Sequence, residues 1–398
     1  MIYRQFQDKE LSLLGFGAMR LPTVGEGDDQ HIDMELAEKM FDAAIEAGVN
    51  YFDTAFPYHK GESEIAVGKL LAKYPRESYY LATKYPGHQI MKEYNPAEVF
   101  ERQLEKCGVD YFDFYLLHNV NETSIDTYTD ERWGIIDYFL KQKEAGRIRH
   151  LGFSTHASVE GLDEFLRVAG KQMEFCQIQL NYLDYTLQRA KEKCELLDSY
   201  GIPIWVMEPV RGGRLANLHE SAAARLKEQR PEESAASWCF RWLMRIPSVT
   251  VILSGMSNME QTMDNIKTFS GGEPLSDVEC NLLLEIADEM KNTVPCTSCG
   301  YCLDVCPMEL KIPYFMGIHN ELSYDKSMNA AMRVELLPER EKPDMCIRCN
   351  RCVKICPQGI KIPVILSDLD KTVRGLPSWR ELSKKREEEQ AALVIDKK

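Results

Sequence analysis

The last third of the chain contains one cysteine pattern twice, and this repeat constrains the fold more than any other feature. Each run reads C-x2-C-x2-C-x3-C-P, the spacing with which bacterial proteins bind cubane [4Fe–4S] clusters. Two runs therefore predict two clusters and one-electron chemistry. Zinc is the competing ligand of four cysteines, but zinc sites seldom use three cysteines at successive x2 spacings. The cysteines are Cys296, Cys299, Cys302, Cys306, Cys346, Cys349, Cys352 and Cys356.

The two runs are expected to interlock. In two-cluster ferredoxins the fourth cysteine of each run binds the other cluster. The insert of 38 residues between the runs is longer than compact, β-rich ferredoxins need, and its segments 314–320 and 328–337 have helical patterns. We therefore predict an α-helical ferredoxin-type domain. Its ligand sets would be Cys296, Cys299, Cys302 and Cys356 for one cluster, and Cys346, Cys349, Cys352 and Cys306 for the other.

Charge and hydropathy exclude several classes of protein. The 398 residues carry a net charge of −14, which disfavours nucleic acid or an anionic membrane as partner. No apolar run reaches the length of about 18 residues that a membrane span needs, and the first residues lack the features of a signal peptide. We expect a cytoplasmic protein. Most of the five cysteines outside the runs are predicted to be buried small hydrophobes; the five are Cys107, Cys176, Cys194, Cys239 and Cys280.

The first 270 residues alternate short β-rich runs with longer amphipathic segments. Eight strand–helix units over this length predict a TIM (β/α)8 barrel, an α/β fold, preceded by a short N-terminal hairpin. The strand runs are hydrophobic throughout, as parallel strands covered on both faces should be. Predicted strands are 13–19, 49–52, 79–83, 112–117, 150–153, 175–180, 202–207 and 250–253, and predicted helices include 34–47, 96–106, 135–144 and 189–199.

The composition divides the chain into three parts. Residues 1–285 are predicted to form the barrel, and residues 286–375 the ferredoxin-type [4Fe–4S] domain. Residues 376–398 are highly charged and are expected to form a surface helix with a frayed end, whose charges are a solvated face.

Polar residues follow three consecutive apolar runs, where each predicted strand ends. NYFDTAFPY places Asp53 after the second strand and Tyr58 in the next loop. YLATK places Lys84, and FYLLH places His118, at the ends of the third and fourth strands. Chemistry in a TIM barrel takes place at the C-terminal ends of the strands, so these four residues are candidate catalytic groups.

The motifs FDTAFPYHKGESEIAVGKLL, ATKY and DFYLLHN resemble the aldo/keto reductase family over roughly residues 10–270, in an iron–sulfur branch. The resemblance implies that Asp53, Tyr58, Lys84 and His118 form a catalytic tetrad. Tyr58 would be the general acid in carbonyl reduction and the base in alcohol oxidation. Lys84, paired with Asp53, is expected to lower the pKa of Tyr58. His118 would hydrogen-bond the substrate oxygen.

The resemblance also implies positions for a nicotinamide cofactor. Ser154 in GFSTH and Gln177 in CQIQLN match the residues that contact the nicotinamide amide, whereas Thr155 replaces the family's asparagine. Met207 stands where the family often stacks an aromatic ring, and a thioether can still cover a flat ring. Arg211, in a glycine-rich stretch that also contains Arg214, is expected to meet the cofactor phosphates.

The segment after the eighth strand resembles the part of the family that wraps the adenosine half of the cofactor. No basic residue occurs between residues 253 and 265, so the sequence leaves NADH and NADPH both open. The arrangement resembles that in the β subunits of voltage-gated potassium channels, which hold NADP(H). The expected contacts are Gly255, Ser257 and Gln261, with Asp264 and Asn265 on the adenine edge.

Together these features predict an oxidoreductase that reduces a small carbonyl or oxidises an alcohol, with clusters linked to a redox partner such as a ferredoxin or flavoprotein. Nicotinamide carries hydride and clusters pass single electrons, and a flavin normally joins the two. The sequence contains no recognisable flavin motif. Two alternatives remain: the barrel as a nucleotide-binding scaffold for a redox sensor or electron carrier, and clusters that only hold the domain together.

Overall fold

The computed structural model describes residues 1–25, 30–89, 93–290, 294–324 and 328–378. The chain divides into two compact units, Met1–Asp288 and Glu289–Lys398. Most of the charged tail lies outside the described residues, so the surface helix expected there stays a prediction. Among the described residues, no helix combines the length and the apolar character that crossing a membrane requires.

The first unit is a closed barrel of eight parallel strands, which confirms the predicted TIM barrel. Each of the eight predicted strands coincides with a barrel strand, and β12 is buried along its whole length, as a strand covered on both faces should be. In chain order the strands are β1 (Tyr3–Phe6), β2 (Lys9–Ser12), β3 (Leu14–Gly17), β4 (Thr23–Val24), β5 (His31–Ile32), β6 (Tyr51–Asp53), β7 (Tyr80–Tyr85), β8 (Phe112–Val120), β9 (Ile148–Thr155), β10 (Cys176–Gln179), β11 (Ile204–Met207) and β12 (Val249–Ser254).

The N-terminal hairpin β1–β2 closes the bottom of the barrel, at the N-terminal ends of its strands. Phe6 and Leu11 belong to the same buried cluster as Phe114 and Trp205 inside the barrel. The Phe6 ring meets the Trp205 ring edge to face, with centroids 5.0 Å apart. Since the hairpin covers this end, the C-terminal ends of the strands remain for the site.

In the described part of the first unit, α-helices surround or follow the barrel strands. Asn95 caps α3 by accepting a hydrogen bond from the Glu98 backbone N–H, and Pro96 occupies the first turn, as the sequence predicts. The helices are α1 (Met34–Glu46), α2 (Ser63–Leu71), α3 (Pro96–Cys107), α4 (Ile125–Thr129), α5 (Ile135–Glu144), α6 (Val159–Ala169), α7 (Asp184–Leu187), α8 (Ala190–Ser199), α9 (Glu220–Gln229), α10 (Ala235–Leu243), α11 (Met259–Phe269) and α12 (Asp277–Met290).

The described part of the second unit is helical and contains no strand, in agreement with the predicted α-helical ferredoxin-type domain. Its core includes Phe315, Met316 and Leu366, and the buried cysteines Cys302 and Cys352 pack into the same cluster. The helices are α13 (Ile312–Tyr324), α14 (Met328–Glu335), α15 (Arg351–Ile355) and α16 (Ile362–Arg374).

The two cysteine runs share a backbone path as well as a spacing. Each run adopts left-handed conformations two, four and thirteen residues after its first cysteine, and each leads into a helix that begins with Ile-Pro, α13 or α16. Left-handed residues let a short loop turn sharply, so that several thiols face one point. These residues are Ser298, Gly300 and Glu309 in the first run, and Arg348, Asn350 and Gly359 in the second.

Candidate active site and cysteine sites

The structure brings Asp53 and Lys84 together at the C-terminal edge of the barrel. Asp53 ends β6, and Lys84 lies near the end of the neighbouring β7. The Lys84 ammonium donates to Asp53 Oδ1 at 2.5 Å and to the Thr54 carbonyl oxygen at 2.8 Å. Lys84 is 0% and Asp53 3% exposed. The buried charge of Lys84 is thus matched by a buried carboxylate, as burial requires.

Tyr58 and His118 complete the predicted group of four. Lys84 Nζ lies 3.4 Å from the Tyr58 hydroxyl oxygen, and the Tyr58 ring meets the His118 ring edge to face at 5.9 Å. His118 lies in β8, next to β7. Tyr58 begins a short 3-10 helix whose next two residues have φ angles of 50° and 55°. This sharp turn brings the loop after β6 back over the strand ends.

The sequence predicts that Lys84 lowers the pKa of Tyr58, and in the structure burial acts on that pKa in the opposite direction. Burial, with the charges of Asp53 and Glu208, raises the pKa of Tyr58 well above its usual value. Burial also lowers the pKa of Lys84 and raises the pKa of Asp53, in both cases against the attraction of the pair. Desolvation disfavours every charged form and is the largest cause of all three shifts. Tyr58 therefore keeps its proton at neutral pH.

A buried hydrogen-bond network supports Lys84 from below, and the sequence reasoning missed it. Glu64 on α2 accepts from Thr83 Oγ1 at 2.7 Å and from Gln103 Nε2 at 2.6 Å. Gln103 also donates to the Lys84 carbonyl oxygen at 3.1 Å, so the strand end is fixed from two helices. The only signal in the sequence was a glutamate inside an otherwise apolar helix face.

Two further histidines lie beside His118. The rings of His88 and His118 meet edge to face with centroids 4.6 Å apart. His156 follows β9, hydrogen-bonds Gln179 and affects the pKa of His118. In all three rings Nδ1 is buried and has no hydrogen-bond partner among the described residues. Periodicity could not have found this group, because its members come from three separate loops and strand ends.

Ser154 and Gln177, predicted to contact the nicotinamide amide, lie opposite each other on β9 and β10. Gln177 Oε1 is buried without a partner among the described residues, and Ser154 Oγ accepts from the Asn119 backbone N–H at 2.9 Å. A primary amide has donors that match such an orphaned acceptor, so these residues fit a nicotinamide. Thr155, in place of the family's asparagine, donates to the Val120 carbonyl oxygen at 2.6 Å.

The next two predicted cofactor residues, Met207 at the end of β11 and Arg211 in the loop after it, differ in how deeply they are buried. Met207, half-buried, ends β11. Arg211 is 0% exposed, and its Nε donates to buried Asp184 at 2.9 Å. Its two terminal nitrogens have no partner among the described residues, so a phosphate could still be bound through them. Glu208, which the sequence reasoning missed, has a left-handed backbone with φ of 57° and stands near Tyr58.

Side-chain hydrogen bonds stabilise the turn after β12. Gln261 Oε1 accepts from the Ser257 backbone N–H, and the Ser257 hydroxyl donates to the Arg20 carbonyl oxygen, both at 2.8 Å. A Cβ added at Gly255 would lie 3.2 Å from the Arg20 side chain. The backbone here is therefore close to Arg20.

The two residues expected to face the adenine are engaged inside the protein. Asp264 accepts from Ser234 Oγ at 2.6 Å. Asn265 is 4% exposed, and its amide donates to Ser254 Oγ at 2.9 Å. An adenine contact through either side chain would have to share or replace these bonds, so the adenine contact stays a prediction.

The thiols of the second unit gather across the two runs. Burial, together with nearby Cys299, Cys296 and Cys356, raises the pKa of Cys302 to about 12. Burial likewise raises the pKa of Cys352 to about 11, together with neighbours that include Cys346, Cys306 and Cys349. Each set contains the last cysteine of the other run. This is the grouping that interlocked ligation predicts.

A pocket lies beside the second set of thiols. It is lined by Cys306, Cys346, Cys349 and Cys352, with apolar side chains such as Leu366. Four thiols around an otherwise apolar cavity fit an iron–sulfur cluster. Among the described residues, no three metal-binding side chains converge closely enough to hold a single metal ion. Outside the runs, four of the five remaining cysteines are buried, as predicted, and Cys280 is half-buried.

Comparison with known proteins supports both the barrel and the cysteine-rich second unit. Residues 13–288 match the model of the Aldo/keto reductase family. Residues 295–360 match the model of the 4Fe-4S dicluster domain.

Individual relatives match the barrel. An NADH-specific methylglyoxal reductase of Escherichia coli (strain K12) is 25% identical over 71% of this chain and 97% of its own. An NADPH-dependent alpha-keto amide reductase of Saccharomyces cerevisiae is 29% identical over 39% of this chain and 49% of its own. The solved holo form of an aldo-keto reductase from Bacillus halodurans superposes with a TM-score of 0.58 and 26% identity, covering 72% of this chain and 96% of that one.

Proposed function

The chain belongs to the aldo/keto reductase family and carries a 4Fe-4S dicluster domain, and from this premise we propose that its barrel transfers a hydride between a nicotinamide cofactor and a small carbonyl compound or alcohol. One observation carries the proposal: a single buried ammonium, Lys84, contacts both Asp53 and the Tyr58 hydroxyl at the C-terminal edge of the barrel. A scaffold that only binds nucleotide would not need this arrangement.

In the proposed reduction, hydride adds to the carbonyl carbon while Tyr58 gives its hydroxyl proton to the carbonyl oxygen, so that C=O becomes CH–OH. Tyr58 starts protonated, because burial raises its pKa. The charge of Lys84, 3.4 Å away, stabilises the tyrosinate that forms. His118 donates a hydrogen bond to the same oxygen and orients it. Oxidation of an alcohol reverses these steps.

The cofactor assignment extends the same proposal. A nicotinamide bound here supplies the hydride; Gln177 and Ser154 would hold its amide, and Met207 would cover the ring. The free nitrogens of Arg211 would meet the phosphates. Gly255, Ser257, Gln261, Asp264 and Asn265 would line the adenosine half. The two relatives named above differ in using NADH and NADPH, so the choice is left to measurement.

For the second unit we propose two [4Fe–4S] clusters, each held by three cysteines of one run and the last of the other. They would exchange single electrons with a redox partner, a ferredoxin or flavoprotein. A flavin supplied by such a partner would join one-electron and hydride chemistry. Free thiols and cysteine-bound clusters are typical of a reducing compartment, so the proposed location is the cytoplasm.

The variant Tyr58→Phe tests the reaction. Carbonyl reduction with NADH and NADPH, assayed anaerobically on small aldehydes and ketones, is expected to fall about 100- to 10,000-fold, the usual contribution of a positioned acid. Tyr200→Phe removes the hydroxyl of an exposed tyrosine and is the matched control. Undiminished reduction by Tyr58→Phe would overturn the proposal.

The electronic link is tested on the same anaerobic protein. Visible and EPR spectra are recorded before and after addition of each nucleotide. Bleaching by one nucleotide would identify the cofactor and show coupling within the chain. Bleaching only by a reduced carrier protein would place the electron source in a partner.

A further inference from the structure

The two cysteine runs share a backbone path but differ in charge. Between Cys346 and Ser367 the chain, whose net charge is −14, contains no acidic residue. The corresponding stretch of the first run instead carries Asp304 and Glu309. The basic residues of the second stretch are all exposed, and together they form what we call the basic face: Arg348, Arg351, Lys354 and Lys361.

Equivalent positions of the two runs show that the shared loop does not require these cations. Two places after the first cysteine, Ser298 and Arg348 have the same left-handed backbone, with φ angles of 54° and 56°. Eight places after it stand Asp304 and Lys354, which are both exposed and carry opposite charges. Since the same loop forms with either set of side chains, the positive charge of the second run needs another explanation.

The carboxylates nearest in sequence to the basic face are engaged by other cations. Asp344, before the stretch, pairs with Arg374 at 2.8 Å. Asp368, after it, lies 4.0 Å from Lys371. The ion pairs of the described residues include none of the four cations of the basic face, and all four are exposed. Their positive charge is therefore open to a partner from solution.

The pocket beside the second set of thiols reaches the surface within the same stretch. Ile347 and Cys349 both line the pocket, and both are exposed, Ile347 to 59%. The equivalent cysteine of the first run, Cys299, is only partly exposed. A protein that docks over Cys349 therefore comes close to the cluster of the second run.

Apolar side chains are exposed between the cations. Arg351 and Lys354 are three positions apart on α15, so they share one face of that helix. Ile355, which follows Lys354, is 43% exposed, and Val364 in the first turns of α16 is 53% exposed. Protein interfaces commonly have such an apolar centre within a polar rim, and rim charges steer an oppositely charged partner.

The exposed cysteine decides between the possible anionic partners. Nucleic acid and an anionic membrane are also attracted to unpaired cations, but neither exchanges electrons with a cluster, and the net charge of −14 repels both. An acidic protein with a one-electron group uses both features of this surface. Its acidic side chains meet the cations while its redox group lies near Cys349.

We propose that the basic face, with Ile347 and Cys349 at its centre, docks an acidic one-electron carrier protein of the ferredoxin class. The carrier gives one electron to the cluster of the second run. The carrier is oxidised by one unit, that cluster is reduced by one unit, and no bond or proton is exchanged. This inference rests on the two clusters proposed above and names the place where their electrons enter.

The experiment uses the full chain, reconstituted anaerobically with iron and sulfide, and a purified acidic [4Fe–4S] ferredoxin as the probe. Binding of the oxidised proteins is measured by calorimetry at low and high salt, and wild-type affinity is expected to fall as salt rises. Cluster reduction by the reduced ferredoxin is followed by stopped flow. Reduction by dithionite, which needs no docking, reports whether the clusters are intact.

The triple variant Arg348→Ser, Arg351→Tyr, Lys354→Asp gives the second run the residues that the first run has at the equivalent positions. The loop should therefore form as it does in the first run. The variant is expected to bind and to react with ferredoxin at least about tenfold more weakly, with unchanged reduction by dithionite. If it assembles fewer clusters than wild type, the double variant Arg351→Gln, Lys354→Gln replaces it, with a smaller loss in the same direction.

The matched control is Lys141→Glu, Lys171→Glu, at two exposed lysines of the barrel. It changes the net charge as much as the triple variant does, because two charge reversals equal the loss of three positive charges and the gain of one negative charge. Its binding and its reaction with ferredoxin should stay within about twofold of wild type, since distant charges are screened.

The outcomes separate this inference from the cluster proposal. A reconstituted chain without cluster signals in its visible and EPR spectra would contradict the proposed clusters and, with them, electron entry at this face. With clusters present, the docking inference is overturned by wild-type affinity that does not depend on salt, or by a basic-face variant that behaves like the control. Clusters that reduce with dithionite but never with ferredoxin would also overturn it. A DNA duplex that displaces the ferredoxin at equal concentration would assign the basic face to nucleic acid instead.

Discussion

The barrel site and the cysteine sites differ in what compensates their buried charge. In the barrel, the buried ammonium of Lys84 is neutralised by Asp53 and fixed by Thr54, so the protein itself completes the site. In the second unit, burial and neighbouring thiols raise the pKa of Cys302 to about 12 and that of Cys352 to about 11. Such thiols become ligands only when a metal compensates the thiolate charge. Protein groups alone compensate the charge of the first site, whereas thiolates at the second need a bound metal.

The largest effect is expected from removing the ammonium that completes the barrel site. Lys84→Met leaves the Asp53 carboxylate buried without a partner, so the free energy of unfolding should fall by about 3–5 kcal/mol, and kcat/KM for carbonyl reduction should fall about 100- to 10,000-fold. Tryptophan fluorescence in urea mainly follows the barrel, because four of the five tryptophans, Trp133, Trp205, Trp238 and Trp242, belong to it.

The double variant Asp53→Asn, Lys84→Met separates stability from chemistry. It removes both charges, so most of the lost stability should return while activity stays low. A double variant as unstable as Lys84→Met alone would contradict the view that the pair neutralises itself.

A substitution in the packing at the bottom of the barrel is expected to lower stability and to leave catalysis unchanged. Phe6→Ala empties a place against Trp205 and Phe114 and is expected to reduce the free energy of unfolding by about 3–4 kcal/mol. Because the hairpin lies at the end opposite Tyr58, kcat/KM per folded molecule should stay near the wild-type value. A proportional loss of activity would show that the two ends of the barrel are coupled.

In the second unit, Asn320 offers a contact that does not involve metal. Its side chain, 9% exposed, accepts from the Val294 backbone N–H at 2.6 Å and donates to the Val294 carbonyl oxygen at 2.9 Å. Asn320→Ala should weaken protection of α13 in hydrogen exchange by about 1–3 kcal/mol and leave the barrel unchanged. Ser323→Ala, at an exposed hydroxyl on the same helix, is the control; equal effects would contradict the prediction.

The smallest effect is a pH dependence at the barrel surface. Burial alone would raise the pKa of Glu174, but hydrogen bonds from His150, Lys143 and Gln7 lower it to about 2. A carboxylate whose pKa is lower in the folded than in the unfolded protein stabilises the fold at pH values above its unfolded pKa. This stabilisation is lost as the pH falls through the folded pKa. Glu174→Gln should therefore destabilise by about 1–2 kcal/mol at neutral pH, after allowance for solvent screening.

That difference between wild type and Glu174→Gln should stay level down to about pH 5 and shrink as the pH falls from there towards about 2, between the unfolded and the folded pKa of Glu174. Urea unfolding at several pH values measures it, with Glu164→Gln at an exposed position as control. A difference that stays constant with pH would show that charge is not its cause.

Much of the barrel could be predicted because its signals are local. Strands buried on both faces are continuous apolar runs, and a polar residue at the end of such a run marks the active edge of a TIM barrel. Asp53, Lys84 and His118 were found in this way, and Tyr58 from the motif that follows Asp53. The helical character of the second unit followed from the long insert between the cysteine runs.

The remaining features depend on which side chains meet in space. The Arg211–Asp184 ion pair joins the loop after β11 to the first residue of α7, and no spacing predicts that the arginine is buried. The group of His88, His118 and His156 also forms only in the folded barrel. The raised pKa of Tyr58 could not be predicted for a related reason: the sequence shows the charged neighbour but not the depth of burial, and burial is the largest cause of the shift.

The comparison of the two sites is tested most directly by removing iron from the full chain. The protein is treated anaerobically with a chelator and a reductant, and carbonyl reduction with nicotinamide is measured beside helix content and residual iron. The account predicts that helical signal from the second unit is lost with the iron, while the barrel keeps its kcat/KM and its dependence on Tyr58. Carbonyl reduction that disappears in step with the iron would contradict it.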